Sequence, residues 1–295
     1  MSRISLDALN AADTAAFVQA IGDVFEHSPW IAERAAAHRP FATVERLHAA
    51  MWAEIEGAAA STRRAFVSLH PELAGKAARD GEMTVDSVSE QGSTGLDRLS
   101  HVELERFNRL NGDYRARFGL PFVICVRRHT RASILSEFER RLAAAPQDEI
   151  ATALREIFYI TRLRVDARVD GPGRPPVNGH LSTHVLDTLA GRPASGVRVE
   201  LRDISDGWPG VLMKQETTNA DGRTDRALIA GQPLRIGRYE LTFHLAEYYR
   251  GCGVPLSTPA FLDEVPLRFA ISEPEGNYHV PLLATPWSYS TYRGS

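Results

Sequence analysis

The sequence predicts two domains of different class, an all-α helical bundle followed by an all-β sandwich. Its 295 residues suit two domains of roughly 150 residues each. Apolar residues recur every three or four positions as far as Val165 and every second position beyond Val177, the spacings of amphipathic helices and half-buried strands. The stretch VDGPGRPPV between them reads as a linker. We therefore expect a helical domain at 1–168, a linker at 169–177 and a sandwich at 178–295.

The helical half shows several separate apolar stripes. The clearest begin at Phe17, Val44 and Ile150, and proline-containing breaks such as those at Pro29 and Pro121 interrupt the pattern. These stripes and breaks together predict roughly six to eight helices.

The second half reads as short strands separated by turns such as Asn219-Ala220-Asp221-Gly222. Alternation of apolar and polar residues over such short segments is typical of a β-sandwich. The clearest strands carry Val197-Val199-Leu201, Tyr239-Leu241-Phe243-Leu245, Val265-Leu267-Phe269-Ile271 and Tyr278-Val280-Leu282.

Composition excludes several classes of protein. A net charge of -3 and a pI near 6.4 argue against a nucleic-acid partner. No apolar window reaches the length of about 18 residues that a membrane span needs. The two cysteines, Cys125 and Cys252, lie in different halves, which excludes a disulfide framework and fits a reducing compartment. We expect a cytoplasmic protein with neither nucleic-acid nor membrane partners.

Four motifs in the second half indicate a family. They are GHLSTHVLD (179–187), NADGRTD (219–225), NYHVPLL (277–283) and the terminal YRGS. Together they resemble 5-hydroxyisourate hydrolase, the enzyme branch of the transthyretin-like family. The resemblance implies a transthyretin-like sandwich that assembles as a tetramer, with active sites in the channel between dimers. It also implies catalytic or substrate-binding roles for His184, Arg223, His279, Tyr292, Arg293 and Ser295.

The residues themselves are consistent with that chemistry. Strand alternation places His184 opposite the face that carries Leu181, Thr183 and Val185. Two such imidazoles beside an arginine could activate a water and hold a developing oxyanion, without a metal. Either His184 or His279 could be the general base.

Three alternatives stay open for this half. The histidines could be structural, or His180, His184 and His279 could bind zinc. Arg223, beside a turn, could be a solvated surface residue.

Motifs in the first half indicate a second family. FEHSPWIAERAAAHRPF (25–41), SLHPELAG (68–75), SVSEQGSTGL (87–96) and FGLPFVICVRRHT (118–130) occur in order. They resemble 2-oxo-4-hydroxy-4-carboxy-5-ureidoimidazoline (OHCU) decarboxylase. The resemblance implies that His70 is the proton donor, that Glu90 is its partner or a substrate contact, and that Arg164 pairs with the leaving carboxylate. It further implies a pocket lined by Pro71, Ser87, Gln91, Phe122, Val123, Ile124, Cys125 and Val126.

Chemistry supports this site as well. Decarboxylation without a cofactor requires stabilisation of an enolate-like anion and delivery of a proton, which suits a histidine and a carboxylate. Pro71 favours a helix break that exposes His70. Arg162 remains an alternative to Arg164, and core packing is an alternative role for Cys125 and its neighbours.

The two implied reactions are consecutive. Hydrolysis of 5-hydroxyisourate gives OHCU, and its decarboxylation gives (S)-allantoin, so the sequence predicts a bifunctional, cofactor-free enzyme of urate degradation with small-molecule substrates. The alternatives are a hydrolase with an inactive helical scaffold and a transthyretin-like binding protein.

Overall fold

The structure is a computed structural model that describes residues 3–74 and 84–294. Contacts divide the chain into two units, one of Met1–Arg127 and Ile134–Val177 and the other of Arg128–Ser133 and Asn178–Ser295. Within the described residues, no helix is both long and apolar enough to cross a membrane.

The described part of the helical half contains nine α-helices, more than the sequence predicted. The excess comes from short helices that have caps of their own. Ser5 accepts from the N–H of Ala8 at 3.1 Å, and Asp13 accepts from the N–H of Ala16 at 2.8 Å, so a separate short helix precedes the one that carries the stripe at Phe17. The helices are α1 (Leu6–Ala11), α2 (Thr14–Ile21), α3 (Trp30–Ala35), α4 (Val44–Glu56), α5 (Ala60–Ser68), α6 (Val85–Gly92), α7 (His101–Phe118), α8 (Arg131–Leu142) and α9 (Glu149–Arg168).

Three helix ends position the predicted decarboxylase residues. Helix α5 stops at Ser68, before Pro71, which leaves His70 just beyond its last turn. Thr84 caps α6 by accepting from the N–H of Ser87 at 3.3 Å. Helix α7 ends at Gly119, whose φ of 64° lies in the left-handed region that favours glycine. The chain therefore turns sharply into the apolar segment that follows.

The segment predicted as a linker packs against the helical unit. Its first two residues form β2 (Val169–Asp170), which pairs in parallel with β1 (Ile4–Ser5). Val177 at its other end is buried in the same core. The carbonyl of Pro172 accepts from the N–H of Val44 at 3.0 Å. The segment thus satisfies a donor at the start of α4 that the helix itself leaves free.

The second half forms a two-sheet sandwich, which confirms the predicted fold class. The strands are β3 (Gly179–Asp187), β4 (Arg192–Pro193), β5 (Arg198–Asp203), β6 (Val211–Thr217), β7 (Ile229–Gln232), β8 (Gly237–His244), β9 (Glu264–Ile271), β10 (Asn277–Ala284) and β11 (Tyr289–Thr291). One sheet has the order β11-β10-β3-β4, with β7 also paired to β3, and the other has the order β6-β5-β8-β9. Strands β3 and β10 run parallel, which places Ser182 opposite His279 and His184 opposite Pro281.

One helix of this half and four of its strands, β4, β6, β7 and β11, were not identified from the sequence. Helix α10 (Leu245–Gly251) begins at a residue that the alternation assigned to a strand. The hydroxyls of Tyr248 and Tyr249 donate to Asp187 at 3.0 and 3.2 Å, so distant contacts hold this helix at the end of β3. Strand β11 is short and exposed, and pairing with β10 defines it.

Candidate active sites

A pocket in the helical unit brings together most of the residues predicted for the decarboxylase site. The pocket encloses about 360 Å³ of space, its opening included. Its walls come from the end of α5, from α6, from the segment after α7 and from α9. The lining residues are His70, Pro71, Leu73, Ser87, Glu90, Gln91, Phe122, Val123, Ile124, Val126, Ile160 and Arg164.

His70 presents a neutral imidazole to this pocket. Its Nδ1 donates to the carbonyl of Phe66 at 3.2 Å, which leaves Nε2 as the unprotonated nitrogen. That Nε2 is buried and has no hydrogen-bond partner among the described residues. Burial lowers the pKa of His70 from 6.5 to about 4; the charge of Glu26 partly opposes this and that of Arg164 adds to it. At neutral pH the group can therefore accept a proton.

Arg164 lies in the same pocket with all of its donors in use. Its Nε and one terminal nitrogen donate to the two oxygens of Glu90 at 3.0 and 2.8 Å, a bidentate pair. The other N–H groups donate to Glu26 at 2.8 Å, Ser87 at 3.1 Å and the carbonyl of Val24 at 3.3 Å. A guanidinium has five N–H groups, and all five have acceptors here.

The sequence implied that Arg164 pairs with the leaving carboxylate, and that role stays a prediction. In the structure every N–H of Arg164 already has an acceptor within the protein. Arg162, the alternative, points elsewhere: its guanidinium lies 3.3 Å from Glu45 and does not line the pocket. The structure places Arg164 at the site as a group that holds Glu90.

Glu26 is a site residue that sequence reasoning missed. It lies in the motif at 25–41, and its side chain is 0% exposed. It accepts from the hydroxyl of Thr84 at 2.8 Å and from that of Ser87 at 2.9 and 3.0 Å, besides Arg164. Burial raises the pKa of Glu26, but the charge and hydrogen bond of Arg164 prevail and hold it below its ordinary value. The motif itself was the only signal in the sequence.

The remaining predicted residues divide between the pocket and the core. Gln91 lines the pocket, and its Oε1 accepts from the N–H of Ala74 at 3.0 Å. Cys125, in contrast to its neighbours, does not line it: the residue is 1% exposed, and its N–H donates to Glu156 at 3.0 Å. Of residues 122–126, which were expected to line the site, four form the pocket wall and Cys125 does not.

In the sandwich, His184 and Arg223 are adjacent as predicted. Strand β3 buries Leu181, Thr183 and Val185 and leaves His184 on the opposite, partly exposed face. An antiparallel bridge joins His184 to Arg223. The turn before Arg223 depends on Gly222, where φ is +71° and a Cβ would lie 2.3 Å from a carbonyl oxygen of β3. The glycine therefore allows the arginine to approach the histidine.

His279 belongs to the same face, and Ser182 holds it there. Ser182 Oγ lies 3.0 Å from Nδ1 of His279, across the parallel pair of strands. Desolvation and the charge of Arg223 lower the pKa of both His184 and His279, and His180 contributes to the shift of His279. Both imidazoles thus favour the neutral form. Ser182 was not among the predicted site residues, although it lies within the motif.

The terminal segment reaches this face. After β11, the N–H of Gly294 donates to the carbonyl of His279 at 2.9 Å. The Arg293 guanidinium lies 4.6 Å from the ring centroid of Tyr278, and Tyr292 is 59% exposed. Ser295, predicted as catalytic, lies outside the described residues.

The zinc alternative finds no support in the geometry. Among residues 3–74 and 84–294, no group of three His, Cys, Asp or Glu side chains is placed to hold a metal ion.

Comparison with known proteins matches both halves separately. Residues 10–166 match the family model for OHCU decarboxylase, and residues 181–294 match that of the HIUase/transthyretin family. The chain is 53% identical over 121 residues to the 5-hydroxyisourate hydrolase of Deinococcus radiodurans, covering 40% of this chain and 100% of that protein. It is 40% identical over 168 residues to the 2-oxo-4-hydroxy-4-carboxy-5-ureidoimidazoline decarboxylase of Haloferax volcanii, covering 57% of this chain and 98% of that one.

A solved structure resembles the whole chain. The crystal structure of (S)-allantoin synthase is 33% identical, with a TM-score of 0.53, and the match covers 99% of this chain and 100% of that one. The fold and the two sites define a two-domain protein with a helical and a transthyretin-like half. The chain belongs to the OHCU decarboxylase family in its first half and to the HIUase/transthyretin family in its second.

Proposed function

We propose that this chain is a bifunctional enzyme of urate degradation. It hydrolyses 5-hydroxyisourate to OHCU and decarboxylates OHCU to (S)-allantoin, both small-molecule substrates. The observation that carries the proposal is that each half of the chain, which belongs to its own family, holds a site that contains histidine. One surrounds His70 with Glu90 and Arg164, and the other groups His184, Arg223 and His279.

In the decarboxylase site we assign the proton transfers to His70. Loss of CO₂ leaves an electron pair on the substrate ring, and a proton must then reach one face of it. The unprotonated Nε2 of His70 accepts a proton from the substrate hydroxyl and then acts as the donor to carbon. Glu90, oriented by Arg164, and Gln91 bind the N–H groups of the ring. Pro71, Ser87 and the side chains from Phe122 to Val126, apart from Cys125, shape the pocket.

In the hydrolase site, one neutral imidazole activates water. His184 and His279 both have lowered pKa values, so either can take the proton of a water near neutral pH. Arg223 binds the substrate ring and the oxyanion that forms on attack. Tyr292, Arg293 and Ser295 would contribute polar contacts from the terminal segment. No cofactor is assigned to either reaction.

Two other functions are weaker. A binding protein with a transthyretin-like sandwich has no need for His184, Arg223 and His279 on one face beside the terminal segment. A hydrolase with an inactive scaffold has no need for a buried, neutral His70 facing a pocket. Specific side chains at each site thus favour two activities.

We further propose that the chain assembles as a tetramer through the sandwich. The aromatic residues Trp287, Tyr289 and Tyr292 are 59%, 46% and 59% exposed around β11. Exposed apolar clusters of this kind commonly mark protein contacts. Sedimentation of the purified chain tests this assembly.

A cytoplasmic location is consistent with Cys125 and Cys252, neither of which forms a disulfide.

The test of function starts from urate and urate oxidase. The chain is added, and ultraviolet absorbance follows 5-hydroxyisourate while circular dichroism follows chiral allantoin. We expect both intermediates to decay faster than without the chain and optically active product to accumulate. Racemic allantoin at the spontaneous rate would exclude the decarboxylase activity, and unchanged decay of 5-hydroxyisourate would exclude the hydrolase.

A further inference from the structure

Glu26 is the buried charge that the proposed reaction leaves unexplained. It lies outside the pocket lining and cannot touch a substrate there, since its side chain is 0% exposed. Both of its oxygens nevertheless accept hydrogen bonds from groups that do reach the site, namely Ser87 and Arg164. A fully buried carboxylate is costly unless it is paired and hydrogen-bonded, and here its partners are site residues.

The backbone next to Glu26 also adopts an unusual conformation. The next residue, His27, adopts a φ of 49°, in the left-handed region that residues other than glycine rarely occupy. Strain of this kind persists only where the surroundings impose it, and it concentrates at functional sites. Thr84, the cap of α6, donates to Glu26, so this loop is tied to the helix that carries Ser87 and Glu90.

The charge arrangement has a consequence for the substrate carboxylate. Arg164 is 4% exposed at its side chain and lies between the carboxylates of Glu26 and Glu90. A free guanidinium would form an ion pair with the carboxylate of the substrate. That pair would stabilise the charged ground state more than the transition state, in which the charge leaves the carboxylate, and would slow the reaction.

We infer that Glu26 is a positioning residue of the decarboxylase site, which occupies Arg164 and so keeps this arginine from pairing with the substrate carboxylate. The inference rests on the proposed decarboxylation. Glu26 orients Ser87 directly and Glu90 through the bidentate contact of Arg164. The pocket then offers the carboxylate no guanidinium N–H, which favours its release as uncharged CO₂.

Glu26→Gln tests this role because it removes the charge and keeps the size. The amide oxygen of the glutamine can still accept from Arg164, but without the negative charge it holds the guanidinium less tightly, so Arg164 can turn toward the substrate carboxylate. We expect kcat for decarboxylation to fall about 10- to 100-fold, the range for loss of a hydrogen bond to a charged group. We expect KM to stay equal or to fall, because the new ion pair stabilises bound substrate. OHCU is generated in the assay by urate oxidase and an excess of separate 5-hydroxyisourate hydrolase.

The matched control is Glu45→Gln. Glu45 also pairs with an arginine, Arg162, but it is 57% exposed and lies away from the pocket. Its kcat and KM should equal those of the unmodified chain. Helical circular dichroism at the assay temperature measures the folded fraction of each variant.

A second variant separates the two possible roles of Arg164 and serves if Glu26→Gln does not fold. Glu26→Gln with Arg164→Gln removes both charges of the fully buried pair, while Glu90, which is 13% exposed, loses its bidentate partner. If Arg164 bound the substrate carboxylate, KM would rise at least tenfold in this double variant. We expect KM to change less than threefold. We expect kcat to fall, because Glu90 is no longer oriented by Arg164.

The outcomes distinguish a failure of the inference about Glu26 from a failure of the proposed decarboxylase function. An unchanged kcat in folded Glu26→Gln, a KM that rises, or a loss of activity that only matches the unfolded fraction overturns the inference. Absence of chiral allantoin with the unmodified chain is a different result, since it removes the proposed decarboxylase function itself.

Discussion

The backbone N–H of Gly294, the last residue but one in the sequence, donates to the carbonyl of His279 at 2.9 Å. The contact is close: a Cβ on Gly294 would lie 2.7 Å from Cδ2 of His279. The end of the chain is therefore built against an imidazole of the proposed hydrolase site.

Gly294→Ala should displace either the terminal segment or the His279 ring. We expect hydrolysis of 5-hydroxyisourate to fall about tenfold or more, since small misplacements of catalytic groups cost that much. Gly251→Ala is the control, because a Cβ there meets nothing within 4 Å. Stopped-flow absorbance gives the rate, and equal rates for both variants would argue against a role for the segment.

Arg223→Gln should move the pH dependence of hydrolysis. The charge of Arg223 lowers the pKa of His184 and of His279. Without that charge both pKa values rise, so protonation begins at higher pH and the acid limb of the kcat/KM profile shifts upward. The exposed Arg226 provides the control substitution, Arg226→Gln. An acid limb at the same pH in all three proteins would contradict the assignment of these histidines.

Ser182→Ala should weaken hydrolysis by releasing the ring of His279. The hydroxyl lies 3.0 Å from Nδ1 of this histidine, and loss of one hydrogen bond commonly costs about 1 kcal/mol. A reduction of kcat of about fivefold to tenfold follows. Ser182→Thr keeps the hydroxyl on a strand that tolerates β-branched residues and should retain most activity. Decarboxylation should be unaffected in both variants.

His70→Asn should abolish chiral allantoin and leave hydrolysis intact. In the unmodified chain, the pKa of His70 lies at about 4, so its neutral form persists as pH falls through the ordinary titration range of histidine near 6.5. Decarboxylation should therefore remain active at about pH 5, where an exposed imidazole is mostly protonated. Circular dichroism of the product measures both effects. Loss of hydrolysis in the same variant would contradict two independent sites.

Arg141→Met should destabilise the helical unit strongly. Arg141 and Glu149 are each 2% exposed at their side chains and form an ion pair. Arg141 also donates to the carbonyl of Val123 at 2.7 Å, behind the pocket. Removal of one partner leaves a buried charge, at a cost of about 3–5 kcal/mol. Urea unfolding measures this cost, and Arg140→Met, at an exposed residue that pairs with the half-buried Glu137, should cost less than about 1 kcal/mol.

Much of the architecture could be predicted from sequence because it depends on local patterns. Periodicity alone separated the helical half from the sandwich, and the alternation in β3 put His184 on the outer face, which the structure confirms. The predicted number of helices was too low, because short helices with caps of their own, such as Leu6–Ala11, precede or separate the apolar stripes. Helix α10 was missed because contacts with Asp187, far away in sequence, hold it.

The candidate sites likewise combine residues that motifs predicted with contacts that only the structure shows. Motifs in the sequence predicted His70, Glu90, His184, Arg223 and His279, and the structure gathers them into two sites, while their catalytic roles stay predictions. What the sequence by itself determined was the two families, the two folds and most of the residues at each site, because spacing and motifs are properties of short segments. Only the tertiary structure decided how the donors of Arg164 are shared, that Glu26 takes part, and that Ser182 and Gly294 hold His279. Those pairings join residues up to 140 positions apart, and they depend on how helices and strands pack, which a local pattern does not record.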